Sequence, residues 1–340
     1  MSVRILYGDT KDFTIPIVGT YVIDWCVAHP GDGLGGATGN SPVPLWAYIW
    51  SALAGDRSAD REAVTSQEIF FLDEYVGAFP SYHHWAWRNL RVGRGGFEAK
   101  RVHVPRGCFV EQTLGREHRI VTSDALDMIL DATRDSSSKE AEWEPRTEDG
   151  EDGFPPEVRI LECATHPVLC EIRDSMRLYD TLVRSHNRRL QVLGIGVGGA
   201  IDRDPEVGGH IGFVECGAAA EDTGVMLVRL AASTVRANAD DFVLKGDALL
   251  EPVRFAITQG IATILSAGEL LLLAWGAGKQ EAVERMLLGT PGPQNPAAWV
   301  QDHAHVTLVL DQAAFGDLDA AVLGDRGFTV EFPTVSPVVS

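Results

Sequence analysis

Ile69-Phe-Phe-Leu-Asp-Glu-Tyr-Val-Gly77 is the stretch on which the fold turns. Four large apolar residues run straight into two acids, with no turn residue between them. A short apolar run bounded in this way reads as a strand buried on both faces. Working outward, three more runs have the same character. Leu190-Gln-Val-Leu-Gly-Ile195 ends in glycines, Leu270-Leu-Leu-Leu-Ala-Trp275 ends before Gly276, and His305-Val-Thr-Leu-Val-Leu310 ends at Asp311. Between them, Leu169 to His186 and Gly278 to Leu288 carry apolar residues at helical spacing. Strand, loop, helix and strand in succession predict an α/β protein: a Rossmann-like, doubly wound, mostly parallel sheet with helices on both faces. Functional residues of such sheets gather at the carboxyl ends of the strands. No repeat is visible, which argues against a solenoid or propeller.

The chain has 340 residues, 45% of them hydrophobic, enough for a sizeable core. Its net charge of −19 repels phosphate backbones and anionic lipid, so neither nucleic acid nor a membrane surface is an expected partner. The five cysteines (Cys26, Cys108, Cys163, Cys170, Cys216) are scattered and form no CxxC pair, which fits a reduced, cytoplasmic compartment. No charged leader precedes an apolar stretch. The longest apolar run, Leu270 to Trp275, falls well short of a membrane span. Residues 135–157 hold nine acids against Lys139 and Arg146, with no hydrophobic period, and read as a solvated loop insertion. The whole of 1–340 is otherwise expected to be one α/β domain.

Three clusters have the residue types for chemistry. Ala37-Thr-Gly-Asn-Ser-Pro42 precedes an apolar helical run from Leu45. Pro42 suits a first helical turn and Ser41 or Asn40 suits a cap. The free N–H groups of such a loop can hold an anion, although loops of this composition are more often plain turn-and-cap chemistry. Asp73-Glu74-Tyr75, followed by Ser81-Tyr82-His83-His84, puts carboxylates at the mouth of the sheet. A desolvated carboxylate there can titrate near neutrality and act as a base, or can simply finish a turn. The third cluster runs from Gly194-Ile-Gly-Val-Gly-Gly199 to Gly209-His-Ile-Gly-Phe-Val-Glu215. It satisfies GxGxxG and has an acid 21 residues on, at Glu215, but residues 201–209 leave no room for the helix and strand that a dinucleotide fingerprint requires. What remains is a lone His210 with Glu215 placed to orient it. No metal-ligand spacing and no GxSxG appears, so neither a metal nor a cofactor is expected.

Taken in order, these clusters resemble the glucosamine-6-phosphate deaminase (isomerase) family, in the superfamily that also holds the 6-phosphogluconolactonases. Ala37-Thr-Gly-Asn-Ser-Pro42 is similar to the family's TG-[GS]-[ST]-P loop. Leu72-Asp-Glu-Tyr-Val-Gly77 with Ser81-Tyr-His83 is similar to its DEYVG…SYH run, and Gly209-His-Ile-Gly-Phe-Val-Glu215 to its GHIxFNE. Arg254-Phe-Ala-Ile-Thr-Gln-Gly260 resembles the stretch with a phosphate-binding lysine. Pro296-Ala-Ala-Trp-Val-Gln-Asp-His303, then Asp311-Gln-Ala-Ala314, resembles its PASxLQxH…DxxA ending.

The resemblance implies a sugar substrate whose ring is opened and isomerised with loss of ammonia. Asp73 is implied as the base between C1 and C2, with His210, oriented by Glu215, moving the ring-oxygen proton. Thr38, Gly39, Asn40 and Ser41 are implied as the phosphate loop, with Arg254 standing where the family has lysine. Homo-oligomerisation is left open.

Two departures are visible. The family's acid two residues before the histidine is Gly208 here, behind an insertion at about 197–206 that offers Asp202, Asp204 or Glu206 instead. The family's Thr-Arg-x-Ala-Asn-x-Arg-Phe helix reads Thr234-Val-Arg-Ala-Asn-Ala-Asp-Asp-Phe242, which places Asp240 where its arginine meets phosphate. A carboxylate ~6 Å from a dianion costs about 5 kcal/mol at an effective dielectric of 20. Arg236, one turn earlier, and Arg254 are the cations left to compensate. The expected activity is therefore a divergent aldose–ketose isomerase or deaminase acting on an amino sugar or its phosphate. A sugar lactone hydrolase and a non-catalytic sugar-binding module are the alternatives.

Overall fold

The computed structural model describes residues 2–78, 81–112, 118–134, 140–145, 157–197, 207–217, 221–237 and 253–333. In chain order its strands are β1 (Ser2–Gly8), β2 (Leu34–Gly36), β3 (Ile69–Phe71), β4 (Asp73–Tyr75), β5 (Val102–His103), β6 (Val110–Gln112) and β7 (His118–Ile120). There follow β8 (Trp143–Pro145), β9 (Glu157–Ile160), β10 (Leu190–Gly194), β11 (Gly196–Val197), β12 (Gly209–His210) and β13 (Val225–Arg229). The last are β14 (Phe255–Gln259), β15 (Glu269–Ala274), β16 (His305–Asp311) and β17 (Thr329–Glu331).

Eight strands form the central sheet in the order β17-β1-β16-β15-β10-β2-β3-β5, and every pairing in it is parallel. The four apolar runs of the sequence are its β3, β10, β15 and β16. Successive residues of β10 and β15 are buried without alternation, so both faces of the sheet are covered. The helix Pro167–Ser185 starts with proline at its first position and buries Val168, Leu169, Ile172, Met176, Tyr179 and Val183, a stripe at 3.6-residue spacing. From β2 the chain winds to β3 and β5; from β10 it winds the other way, to β15 and β16. The order reverses between the neighbours β10 and β2, and it is beyond the carboxyl ends at such a switch point that open α/β sheets have their ligand crevice.

A second sheet, β4-β14-β13-β9-β8, is antiparallel throughout and was not legible as such in the sequence. Its two faces feed different cores. Met226, Val228 and Ala256 join the main core, while Leu227, Phe255 and Ile257 pack with Phe109, Leu126, Ile129 and Ile172. One residue links the sheets. Leu72 donates its N–H to Gly36 O in the parallel sheet and accepts from Gln259 N–H in the antiparallel one. Asp73 is thereby placed at the seam.

The acidic segment is not all solvated loop. Trp143 is buried, donates Nε1–H to Leu130 O at 2.8 Å and anchors the edge strand β8. The expected insertion loop is thus corrected at 143–145: a single large aromatic, too isolated to give a period, carries enough burial to dock an edge strand. Residues 135–139 and 146–156, and most of the expected 197–206 insertion, lie outside the described residues.

Candidate active site

Asp73 and Glu74 are adjacent, both buried, and point to opposite fates because side chains alternate along β4. Glu74 accepts the backbone N–H groups of Tyr75 (2.8 Å), Tyr82 (3.0 Å) and His83 (2.8 Å). It holds the start of the helix Tyr82–Asn89, which gives Ser81-Tyr82-His83 a structural meaning. Burial still raises its carboxyl above the ordinary range.

Asp73 sits opposite Thr258 of β14 and is 5% exposed. Its Oδ1 accepts from Thr258 Oγ1–H and from Phe213 N–H at 3.1 Å. Burial pushes its carboxyl up to about 7, against the pull of those two donors. Gly212, between His210 and Phe213, has φ +58°, and a Cβ there would stand 2.9 Å from Thr258 Oγ1 and 3.2 Å from Asp73 Oδ1. Glycine lets the loop close over the carboxylate.

That loop carries the imidazole. His210 of β12 pairs with Gly196 of β11, and its ring lies against the Gly196 backbone, where a Cβ would come within 1.9 Å of Nε2. Nδ1 stands 3.4 Å from Glu215 Oε2 without a hydrogen bond to it. Glu215 is itself buried, and its Oε1 accepts from Thr234 Oγ1–H of the helix Ala232–Ala237. The structure therefore gathers Asp73, from the first quarter of the chain, with the loop bearing His210 and Glu215.

Thr38, Gly39, Asn40 and Ser41 follow β2 at the crevice beside β10, and Gly39 adopts φ +79°. The helix begins at Val43 with Pro42 as its cap residue, and no side chain caps it. The expected Ser41 or Asn40 cap is thus corrected: Pro42 takes the cap position itself, and the first-turn N–H groups keep no side-chain acceptor.

The expected cations fare differently. Arg254 donates to Asp127 from Nε (3.2 Å) and Nη2 (2.7 Å), and also to Asp124, both acids on the helix Ser123–Thr133. Its backbone N–H is held by Ser123 Oγ at 2.9 Å. Asp127 also accepts from Arg229 Nη1 at 2.8 Å, so two guanidiniums face two carboxylates and the cluster has little net charge left for a phosphate. Arg236 is exposed at the end of its helix. Asp240, Asp202, Asp204 and Glu206 lie outside the described residues.

Sequence reasoning missed Thr258, Thr234 and Gly196. Thr258 stands inside its motif without a role; buried polar side chains at the end of a strand, here Thr258 and Gln259, are the signal that marks it. No group of three or more His, Cys, Asp or Glu is arranged to hold a metal among the described residues. Nor is any helix among them long and apolar enough to cross a membrane.

The chain is 31% identical over 308 residues to the glucosamine-6-phosphate deaminase of Rhodopirellula baltica, covering 89% of this chain and 90% of that one. It belongs to the glucosamine-6-phosphate deaminase family. A second deaminase of this family, glucosamine-6-phosphate deaminase 2 of Bacillus subtilis, is 28% identical over 294 residues, 85% of this chain and 86% of the relative. No protein-family model matches the chain. Among solved structures, a monomeric glucosamine-6-phosphate deaminase shares the fold with TM-score 0.63 at 22% identity, over 92% of this chain and 98% of that one. The 6-phosphogluconolactonase of Trypanosoma cruzi shares it with TM-score 0.56 at 14% identity, over 94% and 98%. The deaminase family thus shares its architecture with the lactonases, as the motifs implied.

Proposed function

We propose that the chain deaminates and isomerises an amino sugar phosphate of the glucosamine 6-phosphate type, as one cytoplasmic α/β unit. The observation that carries this reading is the buried Asp73 carboxyl, poised near neutrality and tied to the His210 loop by the Phe213 amide. His210 shuttles the proton between the ring oxygen and the anomeric hydroxyl as the C1–O5 bond opens. Asp73 takes the C2 proton and returns it to C1, turning the C2 amine into a ketimine. Water then adds at C2, the C2–N bond breaks and ammonia leaves, giving the ketose. Thr234 fixes the Glu215 carboxylate beside Nδ1, where it orients the imidazole while the ring proton moves. The uncapped turn after Thr38–Ser41 faces the phosphate end.

Deaminase relatives that span most of the chain favour this chemistry over lactone hydrolysis, for which the likeness is one of fold alone. A free amino sugar is the second substrate to test, because Arg254 is already neutralised by Asp124 and Asp127. The assay is ammonia and ketose release from glucosamine 6-phosphate and from glucosamine. Turnover of either that disappears in Asp73→Asn and His210→Ala supports the reading. Turnover of neither, or lactone hydrolysis that survives Asp73→Asn, overturns it.

A further inference from the structure

The flank of His210 is held by a residue that no motif contains. Asn295 is 5% exposed, and its amide is sandwiched between two glycines. A Cβ at Gly208 would lie 1.8 Å from Asn295 Oδ1, and one at Gly289 would lie 2.6 Å from Nδ2. Nδ2 donates to Arg285 O at 2.8 Å, which fixes the orientation of the amide. Oδ1, turned toward Gly208, is buried without a hydrogen-bond partner.

Around this wedge, the segment 207–217 that carries His210 is bound to the segment 285–295 at three points. Gly208 N–H donates to Gln294 O at 2.8 Å, and Gly217 N–H to Pro293 O at 2.8 Å. Arg285 Nη1 reaches Val207 O, and Cys216 Sγ lies 3.4 Å from Gly208 O. These contacts fix the lateral position of residues 207–217. The depth at which the strand seats is set by what stands in front of Gly208, and that is the Asn295 amide. Gly208 immediately precedes β12, whose second residue is His210, so the two positions are joined by one intervening residue. A change of depth at 208 is passed to the imidazole lying on Gly196.

We propose that Asn295 is a positioning residue for His210: its amide takes the volume a side chain at 208 would need, and so sets the seating of the imidazole against Gly196. This rests on His210 being a working group of the site. Its first test does not depend on turnover. The ring nitrogens of His210, assigned by their loss in His210→Gln, are followed by NMR through a pH titration. In Asn295→Ala the His210 resonances and midpoint move, whereas in Met128→Ala, on the exposed face of the helix Ser123–Thr133, they stay put. Unmoved His210 signals in a folded Asn295→Ala protein overturn the proposal.

The kinetic test separates this inference from the functional reading. At a temperature where circular dichroism shows full folding, Asn295→Ala lowers kcat about tenfold, the scale of one lost neutral hydrogen-bonding contact, with KM within about twofold. Gly208→Ala alone loses at least as much, because its Cβ collides with Oδ1. The exchange Gly208→Ala/Asn295→Gly recovers to within about threefold of the parent, a smaller loss than either single change. An exchange no better than the worse single variant, or a Gly208→Ala enzyme with parental kcat, shows that the two positions do not share one volume. A parent with no turnover sinks the functional reading and leaves the NMR titration to decide this one.

Discussion

The two ends of β14 treat charge in opposite ways. At Thr258 the strand meets an acid that has hydrogen-bond donors but, among the described residues, no counter-ion, and burial raises the Asp73 carboxyl to about 7. Four residues earlier, Arg254 meets two carboxylates and is held firmly in its charged form, with its pKa raised above the ordinary guanidinium value. A carboxyl desolvated without a charge partner is lifted toward the pH at which it can exchange a proton. A paired cation gains a fixed position and loses its pull on other anions. On the proposed function the Asp73 end is the working part of the site, while the Arg254 end ties β14 to the helix Ser123–Thr133.

The largest expected effect is at Asp73. Asp73→Asn lowers kcat by about 10³ or more, within the range for a positioned acid or base, as measured by ammonia release. The variant does not lose stability at neutral pH, since it removes a buried charge rather than a packed group. Thr258→Val comes next. It removes the hydroxyl donor from the carboxylate, so the pKa of Asp73 rises further and the rising limb of the rate profile moves to higher pH. At pH 7 the loss is about tenfold, recovered in part at pH 8–9.

Smaller again is the effect at the clasp. Asp124→Asn/Asp127→Asn frees Arg254 and lowers KM for the phosphorylated sugar about threefold to tenfold if the guanidinium swings toward the crevice. Arg254→Ala changes that KM less than about threefold, because its charge is already spent; a loss of a hundredfold would erase the contrast between the two ends. Trp143→Ala has the smallest effect on kcat, within about twofold. It nevertheless lowers the denaturation midpoint, by the ~3–5 kcal/mol typical of an emptied aromatic site.

Legibility followed the same division. The four apolar runs became strands of the parallel sheet because burial on both faces leaves an uninterrupted hydrophobic signal. In the antiparallel sheet Val225-Met-Leu-Val228 of β13 is such a run, but β4, β8 and β9 give none. β4 follows β3 after the single residue Leu72, and β8 is announced only by Trp143 within a run of acids. Asp73, His210 and Glu215 were legible from their motifs, and the structure shows Asp73 and the His210 loop in contact. The surroundings that tune them were not. Thr258, Thr234 and Asn295 act through contacts made across 185, 19 and, to Arg285, 10 residues of sequence. Such contacts are set by register and loop closure, which a local pattern does not encode. Arg254 was legible as a cation at the right place in its motif, but its pairing required knowing where the helix Ser123–Thr133 packs.

The central claim is that Asp73 is desolvated, unpaired and active, and its proton is the thing to follow. The carboxyl titrates at about 7 in the folded chain and near its ordinary value of 3.8 when unfolded. Between those values the folded state holds the extra proton, so Asp73 makes stability fall as pH rises from about 4 to about 7 and level off above. Activity runs the other way, since the base works only when ionised. The decisive measurement is kcat/KM for glucosamine 6-phosphate from pH 5 to 9, alongside urea midpoints from pH 4 to 9, on the parent and Asp73→Asn. The account predicts a rate that is half-maximal near pH 7 and reaches its plateau above about pH 8, while the stability difference between variant and parent grows from about pH 4 and levels off above about pH 7. A parental rate limb that persists in Asp73→Asn, or a stability difference independent of pH, contradicts it.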